Sequence, residues 1–292
     1  MAKYLKLFDT HTQYETYING NDAVRPNVSY CEDVMDVHYN PVVHDYSQDY
    51  FTIEALENGA ITFTPKNSNV ISYSTDNGNT WTAGNSVNVS NGDKVLWKGN
   101  MTPLQYEGIG NFTLTCNSNV QGNIMSLLFD DDFQNQLSLE GKNHSFPGLF
   151  YGLTKIINAE NLSLPATTLA QSCYNCMFME CTNLTTAPTL PATTLAQYCY
   201  NNMFNGCTSL TSVPELPATT LTDGCYSGMF QGCTSLNYIK AMFTTTPSNF
   251  YTGNWVKNVA ASGTFVKNSA AEWDVSGDNG IPNGWTVQTA SE

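Results

Sequence analysis

Six residues, Leu-Pro-Ala-Thr-Thr-Leu, occur three times, at 164–169, 190–195 and 216–221, so part of the chain repeats every 26 residues. Met-Phe recurs in register at 177–178, 203–204 and 229–230, and Cys-Thr-x-Leu at 181–184, 207–210 and 233–236. Six of the nine cysteines fall on this lattice: Cys173, Cys199 and Cys225, then Cys181, Cys207 and Cys233. A fixed period between about 20 and 30 residues marks stacked units, none of which buries its apolar face alone. Three copies are near the minimum for stability, so atypical units should flank them.

The spacing within one unit predicts its parts. Leu195, Cys199, Met203 and Cys207 follow i, i+4, i+8, i+12, which predicts one stripe of a short helix. Pro191-Ala-Thr-Thr194 supplies residues for its start and Gly206 for its end. Leu210–Val213 then reads as a short strand stopped by Pro214. Stacking such units gives a solenoid with a parallel sheet on one side and helices on the other.

Residues 49–140 predict a β-sandwich-like domain. Phe51–Ala55, Ala60–Thr64 and Val70–Ser74 are strand-like, and Asp76-Asn-Gly78 before Trp81 is a hairpin signal. A second hairpin is expected at Asn91-Gly92, between Val87–Val89 and Val95–Trp97. Residues 1–48, rich in Tyr, are too few to bury a core of their own and are expected to attach to a partner. Residues 241–292 lose the period, carry Trp255, Trp273 and Trp285, and read as a C-terminal cap. The expected class is therefore multidomain β-rich (α+β): attachment region 1–48, β-domain 49–140, leucine-rich-repeat solenoid 141–240 and cap 241–292.

Charge narrows the partners. Charged residues make up 12% of the chain, and 11 basic against 25 acidic residues leave a net charge of −14. Nucleic acid and anionic membrane both demand a cationic face, so neither is expected. The opening Met1–Thr10 turns polar after eight residues and is not expected to act as a secretion signal.

Leu210-Thr-Ser-Val-Pro-Glu-Leu-Pro217, followed by Gly228-Met-Phe-Gln-Gly-Cys-Thr-Ser-Leu236, resembles the BspA-type leucine-rich repeat. Gly122–Leu128 and Ile71–Trp81 resemble segments that precede such repeats in surface proteins of gut anaerobes. Lys6–His11, Asn27–Glu32 and Val37–Pro41 resemble the start of structural proteins from phages of those bacteria. The resemblance implies a phage virion protein, with a bacterial cell-surface or secreted adhesin as the alternative.

Several motifs favour plain structural readings. Ser74–Trp81 matches an Asp-box, a folded hairpin in sialidases that lies away from their chemistry. Cys173-x-x-Cys176 lacks the paired clusters of a zinc site, and disulfides between equivalent residues of stacked units would be strained. The lattice cysteines are expected to be small apolar core fillers. His38 and His44 with Asp36 and Asp45 fit no single element face, and Asp130–Asp132 and Asp274–Asp278 read as acidic turns. No catalytic triad, phosphate loop or carboxylate pair stands out. The expected protein is thus a non-enzymatic fibre or decoration without cofactor or metal, homo-oligomeric and located in the virion. Residues 1–48 would meet other virion proteins. The repeats would bind a host protein or glycan through Tyr174, Gln197, Tyr198, Tyr200, Asn201 and Tyr226.

Overall fold

The structure is a computed structural model that describes residues 4–7, 27–30 and 45–290. The chain divides into two units, Met1–Asp45 and Tyr46–Glu292. In the first, β1 (Tyr4–Leu7) pairs antiparallel with β2 (Asn27–Tyr30), Tyr4 opposite Tyr30. Of the rest of the expected attachment region, Asp36, His38 and His44 lie outside the described residues, whereas Tyr46–Gln48 forms a 3-10 turn that belongs to the second unit.

Strands β3 (Phe51–Ala55), β4 (Gly59–Pro65), β7 (Ser86–Val89) and β8 (Lys94–Lys98) form where the sequence predicts them, β5 (Ser72–Ser74) is shorter than expected, and β6 (Thr82–Ala83) adds a short strand after the Asp76-Asn-Gly78 turn. They are followed by β9 (Gly110–Leu114) and β10 (Ser118–Asn123). One sheet runs β7-β4-β9, and the other contains β10-β3-β8-β5-β6. Alternation in β9 points Phe112 and Leu114 inward and Asn111 and Thr113 outward. Phe112 joins the two sheets, its ring 5.5 Å from Phe51 and 5.3 Å from Trp97.

The Asp76-Asn-Gly78 hairpin is present, joining β5 to β6 with Tyr73 opposite Thr82. The expected hairpin at Asn91-Gly92 is not. β7 pairs with β4 whereas β8 pairs with β3 and β5, so this turn carries the chain from one sheet to the other. Asp93 accepts the Ser90 N–H, Asn58 accepts the Asn91 N–H, and the Gly92 N–H goes to Ala55, which fixes the crossing instead of a local ladder.

β10 then pairs parallel with β11 (Ile156–Asn158) and β12 (Leu162–Ser163), so the sheet passes directly into the repeats. The core is continuous here too: Phe150 lies 5.8 Å from Phe51 and 5.0 Å from Phe178. At the far end β13 (Tyr238–Ala241), β14 (Thr264–Lys267) and β15 (Thr286–Thr289) form a parallel sheet. Tyr238 lies opposite Thr264, 26 residues on, and Thr264 opposite Thr286, 22 residues on, so the stacking continues with a shortened last step after the sequence period has faded. The indoles of Trp255, Trp273 and Trp285 donate to the carbonyls of Gly280, Phe243 and Ala260 at 2.8, 3.2 and 2.7 Å.

The expected helices are absent from the repeats. Among the described residues the α-helices are single turns, Ser126–Phe129 and Asn249–Thr252, and the chain is β-rich. In place of a helix each repeat carries a ribbon of consecutive turns. The N–H groups of Cys173, Met177 and Cys181 close i→i+3 bonds to Ala170, Tyr174 and Phe178. Those of Ser172, Tyr174, Cys176, Phe178 and Glu180 instead leave the unit and meet the carbonyls of Gln197, Cys199, Asn201, Met203 and Asn205 at 2.7–2.9 Å. An α-helix would keep all of these donors for itself.

Every fourth residue of the ribbon has positive φ: Ser172, Cys176 and Glu180, then Tyr198, Asn202 and Gly206, then Gly224, Gly228 and Gly232. The same bonds extend the stack by a rung on each side, from His144–Gly152 onto Gln171–Met179 and from Gly224–Gly232 onto Phe250–Lys257. Thus a four-residue turn repeat, rather than the helical period, produces the spacing of Leu195, Cys199, Met203 and Cys207.

Gly228 is tightly constrained. Its φ is +62°, and a Cβ there would come within 2.1 Å of Asn202 Oδ1. Gly228→Ala should cost about 1–3 kcal/mol, read as a fall in Tm of several degrees. Asn202→Gly in the same chain should restore only the part due to the clash, while the left-handed strain remains. Circular dichroism should show no helical double minimum, and a strong one would contradict the turn ribbon.

Candidate binding face

The turn ribbon sends two residues inward and two outward in each group of four. Cys173 and Tyr174 are buried, Asn175 and Cys176 half-buried, Met177 and Phe178 buried, and Glu180 exposed. Stacking places like on like. Phe146, Tyr174, Tyr200 and Tyr226 form one column of nearly parallel rings 5.7–5.9 Å apart. Phe150, Phe178, Phe204 and Phe230 form a second, 5.0–6.0 Å apart.

This corrects half of the expected binding set. Tyr174, Tyr200 and Tyr226 are core residues whose hydroxyls are withdrawn from water, and burial pushes all three well above the usual phenol range. Among the described residues the Tyr174 hydroxyl has no hydrogen-bond partner. A helical reading set these side chains outward, whereas the ribbon's two-in, two-out order turns them in. Gln197 and Tyr198 do face solvent, Tyr198 at 42% exposure and with its ring over Gly224. Asn201 is half-buried and donates to the Ser227 carbonyl across the rung, at 3.2 Å.

The cysteine lattice is buried as expected, and one column does more than fill space. The thiols of Cys181, Cys207 and Cys233 donate to the carbonyls of Phe150, Phe178 and Phe204 at 3.0–3.1 Å. Desolvation pushes the Cys173, Cys181 and Cys233 thiols up to about 12, so they stay protonated and are poor nucleophiles and ligands. Among the described residues no group of three or more His, Cys, Asp or Glu is arranged to hold a metal ion.

The acidic run at Asp130–Asp132 is occupied by the protein itself. Lys98 Nζ lies 2.9 Å from Asp130 and 2.6 Å from Asp131, and 4.6 Å from the centre of the Trp81 ring. Tyr50 donates its hydroxyl to Asp131 at 2.6 Å, and burial together with that bond raises it to about 12. Gly277 and Ile281 close the Asp274–Asp278 segment as a turn through their backbones.

The Asp-box folds around Asp76. Its carboxylate accepts the Thr80 hydroxyl at 2.6 Å, the Thr80 N–H at 2.9 Å and the Ser74 hydroxyl at 2.7 Å. With all three partners inside the hairpin, the group acts as a turn brace.

One cleft lies outside the repeat motif. Tyr106, 74% exposed, stands 4.9 Å from the buried His144 ring, beside an open cleft of about 360 Å³ lined by Gln105, Lys142, Asn143 and Gln171. His144 heads the rung before the first Leu-Pro-Ala-Thr-Thr-Leu copy, where the repeat motif is too degraded to read.

The chain matches no family model, no curated protein and no solved structure. Its properties therefore rest on its own geometry. Among the described residues no helix is long and apolar enough to cross a membrane.

Two measurements check these assignments. Neither reductant nor chelator should lower the Tm by more than about 2 °C, because the cysteines among the described residues are free thiols and no group of three or more His, Cys, Asp or Glu there is arranged to hold a metal ion. Thr80 and Ser74 hold Asp76 down at about 2 from an ordinary 3.8, so the carboxylate stabilises the fold above pH 3.8 and loses that effect as pH falls towards 2. The Tm deficit of Asp76→Asn should therefore be full at neutral pH and shrink through that window.

Proposed function

We propose that the chain is a non-enzymatic virion structural protein, a fibre or decoration of a phage that infects gut bacteria. On this reading residues 1–48 dock on other virion proteins, residues 49–140 form a sandwich-like spacer, and the repeats form a BspA-type leucine-rich-repeat solenoid closed by its cap. The repeats then meet a host surface protein or glycan, and self-association would multiply weak contacts.

The observation that carries this reading is the division of the repeat into sealed columns and outward rows. Gln171, Gln197 and Tyr198 sit on rungs joined by backbone hydrogen bonds, so their spacing is set at roughly 4.8 Å per rung. Such a surface suits display. Its amides and phenol hydrogen-bond and stack without fixed charge, as recognition of neutral partners requires.

Antibody raised against residues 163–292 should label purified virions, and deletion of residues 1–48 should abolish labelling while the remaining chain still melts cooperatively. Normal incorporation without residues 1–48 would overturn the anchoring. Labelling of bacterial envelopes with none on virions would replace this reading with that of a surface adhesin.

A further inference from the structure

We infer that the cleft beside Tyr106 and His144 is a binding site for a neutral pyranose oligosaccharide. The inference deepens the display reading by naming a ligand class and a place for it on the repeat stack.

The platform is held rigidly. Leu104 and Gly108 exchange backbone hydrogen bonds of 2.9 and 2.8 Å, closing a tight turn around Tyr106. A Cβ on Gly108 would stand 2.5 Å from Pro147 Cδ, so this turn lies directly against the first rung. Tyr106 itself has φ +66°, a costly backbone for a bulky residue, and its ring is nonetheless left in solvent. The His144 ring packs against it at 4.9 Å, tilted by 59°. An aromatic ring fixed in position with an open face is what the C–H face of a sugar packs against.

The polar groups lie alongside. Asn143 Oδ1 accepts the Gln171 N–H at 3.2 Å, and Gln171 Nε2 reaches Gln197 Oε1 at 3.4 Å, so the amides are ordered along the rungs. Gln105 and Lys142 line the same cleft. The Lys142 ammonium lies 5.2 Å from the centre of the Phe129 ring, so the carboxamides are the groups that match vicinal hydroxyls rather than an apolar side chain. The cleft's volume lies at the small end of ligand sites, enough for roughly one or two sugar rings. A nucleotide would also stack on Tyr106, but the net charge of −14 opposes its phosphates.

The test uses the full chain and saturation-transfer NMR with maltose, cellobiose, N-acetyllactosamine and 3′-sialyllactose, each at up to about 10 mM. At least one neutral sugar should receive saturation. Tyr106→Ala should weaken that binding about tenfold or more, while Tyr106→Phe should keep it within about twofold, both with unchanged Tm. Phe250→Ala, 76% exposed on the rung at the far end of the stack, should leave a disaccharide's affinity unaltered. Absence of transfer to every probe, transfer to 3′-sialyllactose alone, or undiminished binding by Tyr106→Ala would each overturn the site. None of these outcomes depends on incorporation into a particle, so failure of the sugar site and failure of the virion reading are separable.

Discussion

Everything beyond the first β-strands depends on where alternate backbone N–H groups are sent. In the turn ribbon one N–H closes the local turn and the next is handed to the following rung, as in Tyr174 to Cys199 and Tyr200 to Cys225. A net contribution of about 0.5–1.5 kcal/mol per bond is small, but five such bonds tie Ser172–Glu180 to the next rung and five more continue from Tyr198–Gly206. No rung completes its own hydrogen bonding, so each needs its neighbours. The bond pattern also sets the side-chain pattern, since a turn repeat of four residues places an inward pair beside an outward pair along the whole ribbon.

Positive φ at every fourth residue is the cost of this arrangement, and the sequence shows how it is met. The third copy uses Gly224, Gly228 and Gly232, for which the conformation is easy, while the second uses Tyr198, Asn202 and Gly206. Larger residues are tolerated there because the next rung has made room: the Tyr198 ring lies over Gly224 and the Asn202 carboxamide over Gly228. Neighbouring copies are therefore not interchangeable despite their shared motif.

The period, the strands of the first sheets and the burial of the cysteines were all legible in the sequence, because each rests on local pattern. The helix was not, although a clue was present. A strict spacing of four walks about 40° around an α-helix at each step, so Leu195, Cys199, Met203 and Cys207 do not hold one stripe. Gly206 read as a helix end is in fact one of a series of left-handed positions that includes Asn202 and Tyr198. The burial of Tyr174, Tyr200 and Tyr226 was lost with the same error. Asn91-Gly92 misled for a different reason: a turn signal specifies a reversal, and only the pairing of Val95 with Ile53 rather than with β7 shows which sheet receives the chain. The cleft at Tyr106 was hidden because it joins a loop and a rung 38 residues apart, neither of which carries the repeat motif.

The same geometry decides where such a chain can change. The columns of Tyr, Phe and Cys are coupled rung to rung through ring stacking and through thiols that donate to the previous rung's carbonyls, so altering one member disturbs its neighbours above and below. Gln171, Gln197 and Tyr198 point away from that lattice, and exchanging their side chains leaves the backbone bonds intact. The outward rows can therefore be changed with little effect on the stack, provided the left-handed positions keep residues that accept positive φ. A scaffold whose stability and whose surface are set by different residues of the same four-residue turn can vary its surface without rebuilding its core.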